Sequence, residues 1–215
     1  LFRSSAVGLV FQYPEHQLFA ATVREDVSFG PRNLGLSEEE VAERVSEALR
    51  LVHLDEDDIA ERSPFELSGG QQRRVAFAGV LAMRPRVLVM DEPVAGLDPV
   101  AREEFLELID GLHRSGLSII MASHSMDDLA RLADRVLVLA DGEVFRLGTP
   151  QEVFADVEGL RSIGLDAPAA QRFASELRDT GFSLAPQLYD VESLADAIAS
   201  QLGAAQVADK EHSNA

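Results

Sequence analysis

One short apolar run in this chain ends in two adjacent carboxylates: Arg86-Val87-Leu88-Val89-Met90-Asp91-Glu92-Pro93. Its hydrophobic residues do not alternate with polar ones, which is typical of a strand buried on both faces in a parallel sheet. Such sheets bind ligands at the carboxyl ends of their strands. Asp91 at that place suits a Mg²⁺ ligand of a nucleotide triphosphatase, and Glu92 suits a group that polarises an attacking water. The plain alternative is a solvated Asp-Glu pair at a strand end.

Two similar apolar runs, Val7–Phe11 and Leu117–Met121, predict further strands, and the stretches between the runs have helical signals. A capping-box pattern at Ser37 precedes one amphipathic helix, and Asp98-Pro99 predicts the start of another that ends near Gly116. Alternating strands and helices predict an α/β fold built on a parallel sheet.

The pattern changes toward the C-terminus. Asp141-Gly142, between two apolar runs, predicts a two-residue hairpin, and the Thr149–Glu152 capping box marks an expected domain boundary. We therefore expect a domain over residues 1–149, with a helical subdomain at about 20–80, and a C-terminal region over residues 150–202. Residues 203–215 are small and polar, so we expect them to form a flexible tail.

The composition excludes several classes of protein. The 215 residues include 37 acidic and 19 basic side chains, which give a net charge of −18, and this balance argues against a nucleic-acid partner. The chain has no cysteine, so disulfide frameworks and cysteine nucleophiles are excluded. The longest apolar stretch, around Val75–Met83, is far shorter than the ~20 residues that a membrane-spanning helix needs.

The segment Leu67-Ser68-Gly69-Gly70-Gln71 opens another helix, with Ser68 as N-cap and Gln71 placed to complete a capping box. Two glycines at a helix N-terminus leave backbone N–H groups that a phosphate can approach, and the helix dipole favours its negative charge. Taken alone, this segment fits an ordinary capped helix start equally well.

Three further polar residues are candidate site residues because they lie at a turn or at the end of a predicted strand. Asp98 follows the tight turn at Gly96, His124 follows the Leu117–Met121 strand, and Gln12 ends the first strand. Each also has a purely structural explanation, as a helix cap, a structural histidine or a strand-ending amide.

Together these segments resemble, in order and spacing, the motifs of ATP-binding cassette ATPases. The matches are Leu67–Gln71 followed by Arg73-Arg74 for the signature motif, Asp91-Glu92-Pro93 for Walker B, Gly96–Pro99 for the D-loop, Ser123-His124 for the H-loop and Gln12 for the Q-loop. The resemblance implies a P-loop NTPase-type parallel sheet core with a helical signature subdomain and a small C-terminal region.

Four segments resemble the corresponding sequences of the ATPase subunits of energy-coupling factor transporters. They are Phe11–Phe19, Phe29–Gly35, Arg74–Met83 and Ser123–Asp128. These transporters take up vitamins or transition-metal ions such as cobalt and nickel. The Ser-His-Ser-Met form resembles the A2-type subunit.

The resemblance implies ATP and Mg²⁺ as ligands, with ATP held between two ATPase subunits that meet head to tail. The implied nucleotide-binding residues are Gln12, Ser68, Gly69, Gly70, Gln71, Asp98 and His124. Asp91 and Gln12 would hold Mg²⁺, while Glu92 as general base and His124 at the γ-phosphate would be the catalytic residues.

The implied partners are a second ATPase subunit, a transmembrane T component and a substrate-binding S component, on the cytoplasmic side of the cell membrane. Residues 37–66 carry 11 acidic and 3 basic side chains. We hypothesise that some of these carboxylates, with Glu15, accept Arg-bearing coupling helices of the T component. A solvated helical face is the alternative.

One family feature is absent from the sequence. The phosphate-cradling Walker A loop needs a lysine upstream of Gln12, whereas the only lysine is Lys210. Either the sequence lacks the N-terminal part of an ATPase, as Leu1 in place of Met suggests, or the chain is a degenerate subunit. We expect the chain alone to bind ATP poorly.

A non-hydrolysing subunit that completes another ATPase's site is the alternative function, and Glu92 argues against it. A soluble cassette ATPase of translation or DNA repair is disfavoured by the lack of basic surfaces.

Overall fold

The computed structural model describes residues 6–185 and 188–212, with side chains described as far as residue 202. The chain forms two compact units, of which the first ends at Ser123 and the second begins at His124.

The first unit contains a three-stranded parallel sheet in the order β1-β2-β3, and this confirms the predicted α/β class. Its strands are β1 (Val7–Val10), β2 (Val87–Asp91) and β3 (Ser118–Ala122). In the register, Val10 lies beside Met90, and Asp91 lies beside Ala122. The carboxyl ends of all three strands therefore lie at one edge of the sheet.

Five α-helices accompany the sheet in the described part of this unit: α1 (Val23–Asn33), α2 (Glu38–Leu51), α3 (Glu56–Ile59), α4 (Gly69–Leu81) and α5 (Pro99–Arg114). Helices α1, α2 and α4 pack together in the region predicted to be helical. Phe77 of α4 meets Phe105 of α5 edge to face at 5.1 Å, and both rings are buried. Aromatic pairs of this kind stabilise a core through burial and ring geometry.

The two faces of the sheet are buried to different extents. Val10 is buried, whereas Val7 and Leu9 on the same strand are 47% and 44% exposed, and Ile120 on β3 is 60% exposed. The prediction of strands buried on both faces is therefore wrong for β1 and β3, whereas β2 is buried on one face and partly buried on the other. An apolar run without alternation shows that both faces of a strand are able to be buried. Whether they are buried depends on the elements that pack against the strand, and the described helices cover one face more completely than the other.

The second unit contains an antiparallel hairpin of β4 (Val136–Ala140) and β5 (Glu143–Gly148). Asp141 and Gly142 at its turn have φ angles of 50° and 81°, as a two-residue type I′ turn requires, so the hairpin prediction is confirmed. The helices here are α6 (Met126–Leu132), α7 (Pro150–Phe154), α8 (Val157–Ser162), α9 (Ala169–Asp179) and α10 (Val191–His212).

A hydrophobic cluster joins the hairpin to α7 and α8 through Val136, Val138, Val153, Phe154 and Leu160. The expected boundary after residue 149 falls between β5 and α7, inside this unit, whereas the contacts divide the chain after Ser123. Helix α10 continues to His212, into the expected flexible tail, and residues 213–215 lie outside the described residues. Alanine-rich sequence favours a helix there despite its polarity.

Candidate functional site

The N-terminus of α4 is built as the capping pattern predicts. The Ser68 hydroxyl accepts a hydrogen bond from the Gln71 backbone N–H at 3.3 Å, and the Ser68 N–H donates to the Gln71 side-chain oxygen at 3.1 Å. A Cβ built at Gly69 or Gly70 meets no heavy atom within 4 Å, so packing inside the chain does not require glycine at either position. Backbone N–H groups at this terminus are thus accessible to a phosphate.

A cleft of about 560 Å³ adjoins this helix terminus. Its lining includes Ser68, Gly69, Gly70, Gln71, Asp98 and Glu15. Asp98 is the N-cap of α5, where its carboxylate accepts hydrogen bonds from the N–H groups of Val100 at 3.0 Å and Ala101 at 3.1 Å. The structure therefore brings the segment resembling the signature motif and the segment resembling the D-loop to one cleft.

The two carboxylates at the end of β2 differ in their surroundings. Asp91 is exposed at the last register position of the strand, and Glu92 is half-buried just beyond it. Glu92 adopts a left-handed backbone conformation with φ of 46°, and its N–H donates to the Ala122 carbonyl at 2.9 Å. Left-handed backbone is unfavourable for residues with a Cβ, so it persists where the surroundings fix it.

Gln12 is exposed and follows β1 by two residues, at the edge of the sheet where β2 ends in Asp91. No group of three His, Cys, Asp or Glu side chains able to hold a metal ion exists among the described residues. Mg²⁺ in nucleotide sites commonly takes only one or two protein oxygens and completes its shell with phosphate and water. One carboxylate and one amide at this edge fit that donor set.

His124 is exposed and is the first residue of the second unit, between β3 and α6. The other six predicted nucleotide-binding residues, together with Asp91 and Glu92, belong to the first unit.

Arg73, on the buried face of α4, contacts two motif segments that sequence reasoning treated separately. Its side chain is 3% exposed, and it holds the Glu15 carboxylate by two hydrogen bonds, Nε to Oε2 at 3.0 Å and Nη2 to Oε1 at 2.8 Å. Its Nη1 donates to the carbonyls of Pro93 at 3.3 Å and Ala95 at 2.8 Å, directly after Glu92. A charged residue in phase with the buried face of a helix was the signal for this network.

The network affects how Glu15 ionises. Burial alone would raise the pKa of Glu15, but the hydrogen bonds and charge of Arg73, with a backbone hydrogen bond, outweigh it and lower the pKa below its ordinary value. Arg73 donates one hydrogen bond to each carboxylate oxygen of Glu15, and acceptance of a partner's arginine by Glu15 stays a prediction.

Several carboxylates of residues 37–66 are also paired within the chain. Arg32 binds Glu38, Arg84 binds Glu43 and Glu47, and Arg24 binds Glu56 and Glu61. The acidic face is thus partly neutralised by the protein's own arginines, and the number of carboxylates left for a partner is smaller than composition suggested. No helix in the described part of the chain is long and apolar enough to cross a membrane.

The chain matches one family model and named relatives, whose descriptions differ. A family model described as "AAA domain, putative AbiEii toxin, Type IV TA system" matches residues 6–127. The energy-coupling factor transporter ATP-binding protein EcfA2 of Symbiobacterium thermophilum is 54% identical over 204 residues, which are 95% of this chain and 70% of that protein. EcfA2 of Clostridium perfringens is 50% identical, over 89% of this chain and 68% of that protein.

Solved structures agree with these relatives. The structure of cbiO1 from Clostridium perfringens, described as part of the ABC transporter complex cbiONQ, matches with a TM-score of 0.66 and 39% identity, over 81% of this chain and 68% of that one. A dimeric post-hydrolysis state of the ATP-binding cassette MJ0796, bound to ADP and Pi, matches with a TM-score of 0.56 and 33% identity, over 67% of this chain and 62% of that one.

The chain spans about two thirds of the length of the proteins it matches. At this identity and coverage the fold and family are shown together. The chain belongs to the ATP-binding cassette ATPases of energy-coupling factor transporters, and within them to the EcfA2 group.

Proposed function

We propose that this chain binds ATP together with a second ATPase subunit, hydrolyses it, and so drives uptake by an energy-coupling factor transporter. The observation that carries the proposal is the N-terminus of α4, where two glycines without packing neighbours open onto the same cleft as Asp98. A helix terminus of this kind suits a γ-phosphate presented from outside the chain. Asp98 belongs to the interface with the other subunit. The similarity to the dimeric ATP-binding cassette MJ0796, bound to ADP and Pi, supports this arrangement.

Glu92 is the proposed general base. Its carboxylate accepts a proton from the water whose oxygen attacks the γ-phosphorus, and the bond from that phosphorus to the β–γ bridging oxygen breaks to give ADP and phosphate. His124 and Gln71 are proposed to contact the nucleotide, and the half-buried position of Glu92 suits a base that must remain near one water. Mg²⁺, held by Asp91 and Gln12, would neutralise phosphate charge.

The remaining assignments extend the same proposal. The partners are a transmembrane T component and an S component that binds the solute, with the chain peripheral to the cytoplasmic side of the cell membrane. We assign the solutes to vitamins or transition-metal ions such as cobalt and nickel. A separate solute-binding subunit is consistent with the lack of a metal-ligand cluster among the described residues of this chain.

Substitution of Glu92 tests this function. In the transporter assembled from the full coding sequence, Glu92→Gln should lower ATP turnover by about 100- to 10,000-fold, because a general base contributes on that order. Binding of ATP should persist, since the amide keeps the size of the side chain. Phosphate release and nucleotide binding are the measurements.

Glu107→Gln is the matched control, because Glu107 is an exposed acid on α5 away from the cleft. Its turnover should equal that of the wild type. Undiminished turnover in Glu92→Gln would show that this chain is a non-hydrolysing partner of another active subunit.

A further inference from the structure

Arg73 links the helix that begins with the phosphate-facing glycines to the loop that carries Glu92. We propose that Arg73 is a positioning residue, which fixes the backbone around Glu92 and so the place of the general base. This inference rests on the hydrolytic role proposed for Glu92, and it adds a residue that acts on catalysis through another.

The guanidinium of Arg73 donates four hydrogen bonds in a buried position. Two N–H groups bind the two oxygens of Glu15 at 2.8 and 3.0 Å, and Nη1 binds the Pro93 and Ala95 carbonyls at 3.3 and 2.8 Å. The guanidinium carbon also lies 5.9 Å from the ring centroid of Tyr13. A planar cation with this many fixed partners has little freedom to move.

Glu92 needs such a fixed loop because its own backbone is unfavourable. With φ at 46° it lies in the left-handed region, which residues with a Cβ leave unless neighbouring contacts hold them. The Glu92 N–H donates a hydrogen bond to the Ala122 carbonyl on β3. The Glu92 carbonyl in turn accepts a hydrogen bond from the Ala95 N–H at 3.1 Å. Arg73 binds the carbonyls of Pro93 and Ala95, so it holds the loop on the C-terminal side of Glu92.

Glu15 keeps Arg73 in this orientation. Its segment is a single turn of 3₁₀-helix, Pro14–Gln17, that follows Tyr13, another residue with left-handed backbone at φ of 56°. Gln12, the proposed Mg²⁺ ligand, directly precedes Tyr13. The Arg73 side chain therefore connects three parts of the first unit: the start of α4, the segment that follows Gln12 and the loop that carries Glu92.

The test is a double-substitution cycle on the transporter assembled from the full coding sequence. Arg73→Gln should lower kcat for ATP hydrolysis about 10-fold and change KM for ATP less than about 3-fold, because it shifts the base and leaves the phosphate contacts at Ser68–Gln71 in place. When Glu92→Gln is already present, Arg73→Gln should reduce the residual turnover by less than about 2-fold, since residues that act as a unit are not additive.

Two further variants separate positioning from folding. Arg73→Lys keeps the charge beside Glu15 but cannot bind both carbonyls and both carboxylate oxygens, so its kcat should lie between those of the wild type and Arg73→Gln. If Arg73→Gln does not fold, Arg73→Lys takes its place in the test. Arg84→Gln removes an exposed arginine that binds Glu43 and Glu47 away from the cleft, and it should leave kcat unchanged.

The outcomes distinguish the two proposals. If Glu92→Gln lowers turnover as expected but Arg73→Gln lowers it by the same factor with and without Glu92→Gln, Arg73 acts independently of Glu92 and the positioning role is overturned. Full activity in Arg73→Lys would overturn it too, because charge alone would then suffice. If Glu92→Gln leaves turnover unchanged, the hydrolytic role itself fails and the positioning role fails with it.

Discussion

Arg73 holds the Glu15 carboxylate by two hydrogen bonds that form in full only when the carboxylate is ionised. The pKa of Glu15 in the folded protein therefore lies below its ordinary value of 4.5, although burial acts in the opposite direction. A lowered folded-state pKa gives stability that is fully present above the unfolded-state value and is lost as the pH falls through the folded-state value. This single ion pair thus makes a specific, acid-sensitive contribution to folding.

Glu15→Gln should reveal that contribution. At pH 7 the free energy of unfolding should fall by about 1.5–3 kcal/mol, the range for a hydrogen bond to a charged group. The gap between wild type and variant should stay constant above about pH 4.5 and shrink below it. Urea denaturation at a series of pH values measures the gap. Glu107→Gln, on the exposed face of α5, should change stability by less than about 0.5 kcal/mol at every pH; a gap for Glu15→Gln that does not narrow in acid would contradict the ion-pair interpretation.

At the scale of the elements, helix α4 approaches β1 at Gly8. A Cβ built on Gly8 would lie 2.6 Å from Cγ1 of Val80 and 3.1 Å from Cγ of Pro85, and the rigid proline ring limits how far this contact can relax. Small residues in strands often mark such a close approach. The sheet and the helix that begins at Gly69 are in close contact at this point.

We expect Gly8→Ala to lower the free energy of unfolding by about 1–3 kcal/mol, as overpacking of a core does. Thermal or urea denaturation checks the value. Gly111→Ala on α5 is the control, because a Cβ there meets nothing within 4 Å and alanine favours a helix by up to about 1 kcal/mol. Equal stability of Gly8→Ala and wild type would show that α4 can move away from β1 at little cost.

Local chemistry explains which elements could be predicted. The capping boxes at Ser37 and Ser68 and the turn at Asp141-Gly142 each depend on residues within a few positions, and the structure has all three. The predicted and observed ends of the strands also agree to within one residue, because each apolar run is itself a local feature of the sequence. The Arg73–Glu15 pair joins residues 58 positions apart, so no local pattern specifies it.

Burial was harder to predict because it depends on the neighbours that the fold supplies. The apolar run Val7–Phe11 suggested two covered faces, but the structure exposes Val7 and Leu9 on one of them. The predicted site residues at strand ends followed from a general property of parallel sheets, since Gln12 and Asp91 must share an edge once their strands are neighbours. Their chemical roles stay predictions.

For the whole molecule, the net charge of −18 has two components. Part of it is balanced locally, as in the pairs of Arg84 with Glu43 and Glu47 and of Arg24 with Glu56 and Glu61. Exposed pairs of this kind contribute little to stability each, so the charge bears mainly on solubility and on the choice of partners. The negative net charge disfavours nucleic acid as a partner. The N-terminus of α4 is the place where we propose that an anionic ligand meets backbone N–H groups.

The central claim is that this cleft becomes a complete ATP site only when a second ATPase subunit supplies the nucleotide. The most direct measurement is sedimentation of the Glu92→Gln protein, from the full coding sequence, mixed with a second ATPase subunit in ATP, in ADP or without nucleotide. ATP alone should produce a one-to-one complex. Gly70→Ala should prevent it, because a methyl group would occupy the space left for the phosphate, whereas Gly79→Ala, equally free of neighbours on the same helix, should not. Association that is independent of ATP, or that survives Gly70→Ala unchanged, would contradict the claim.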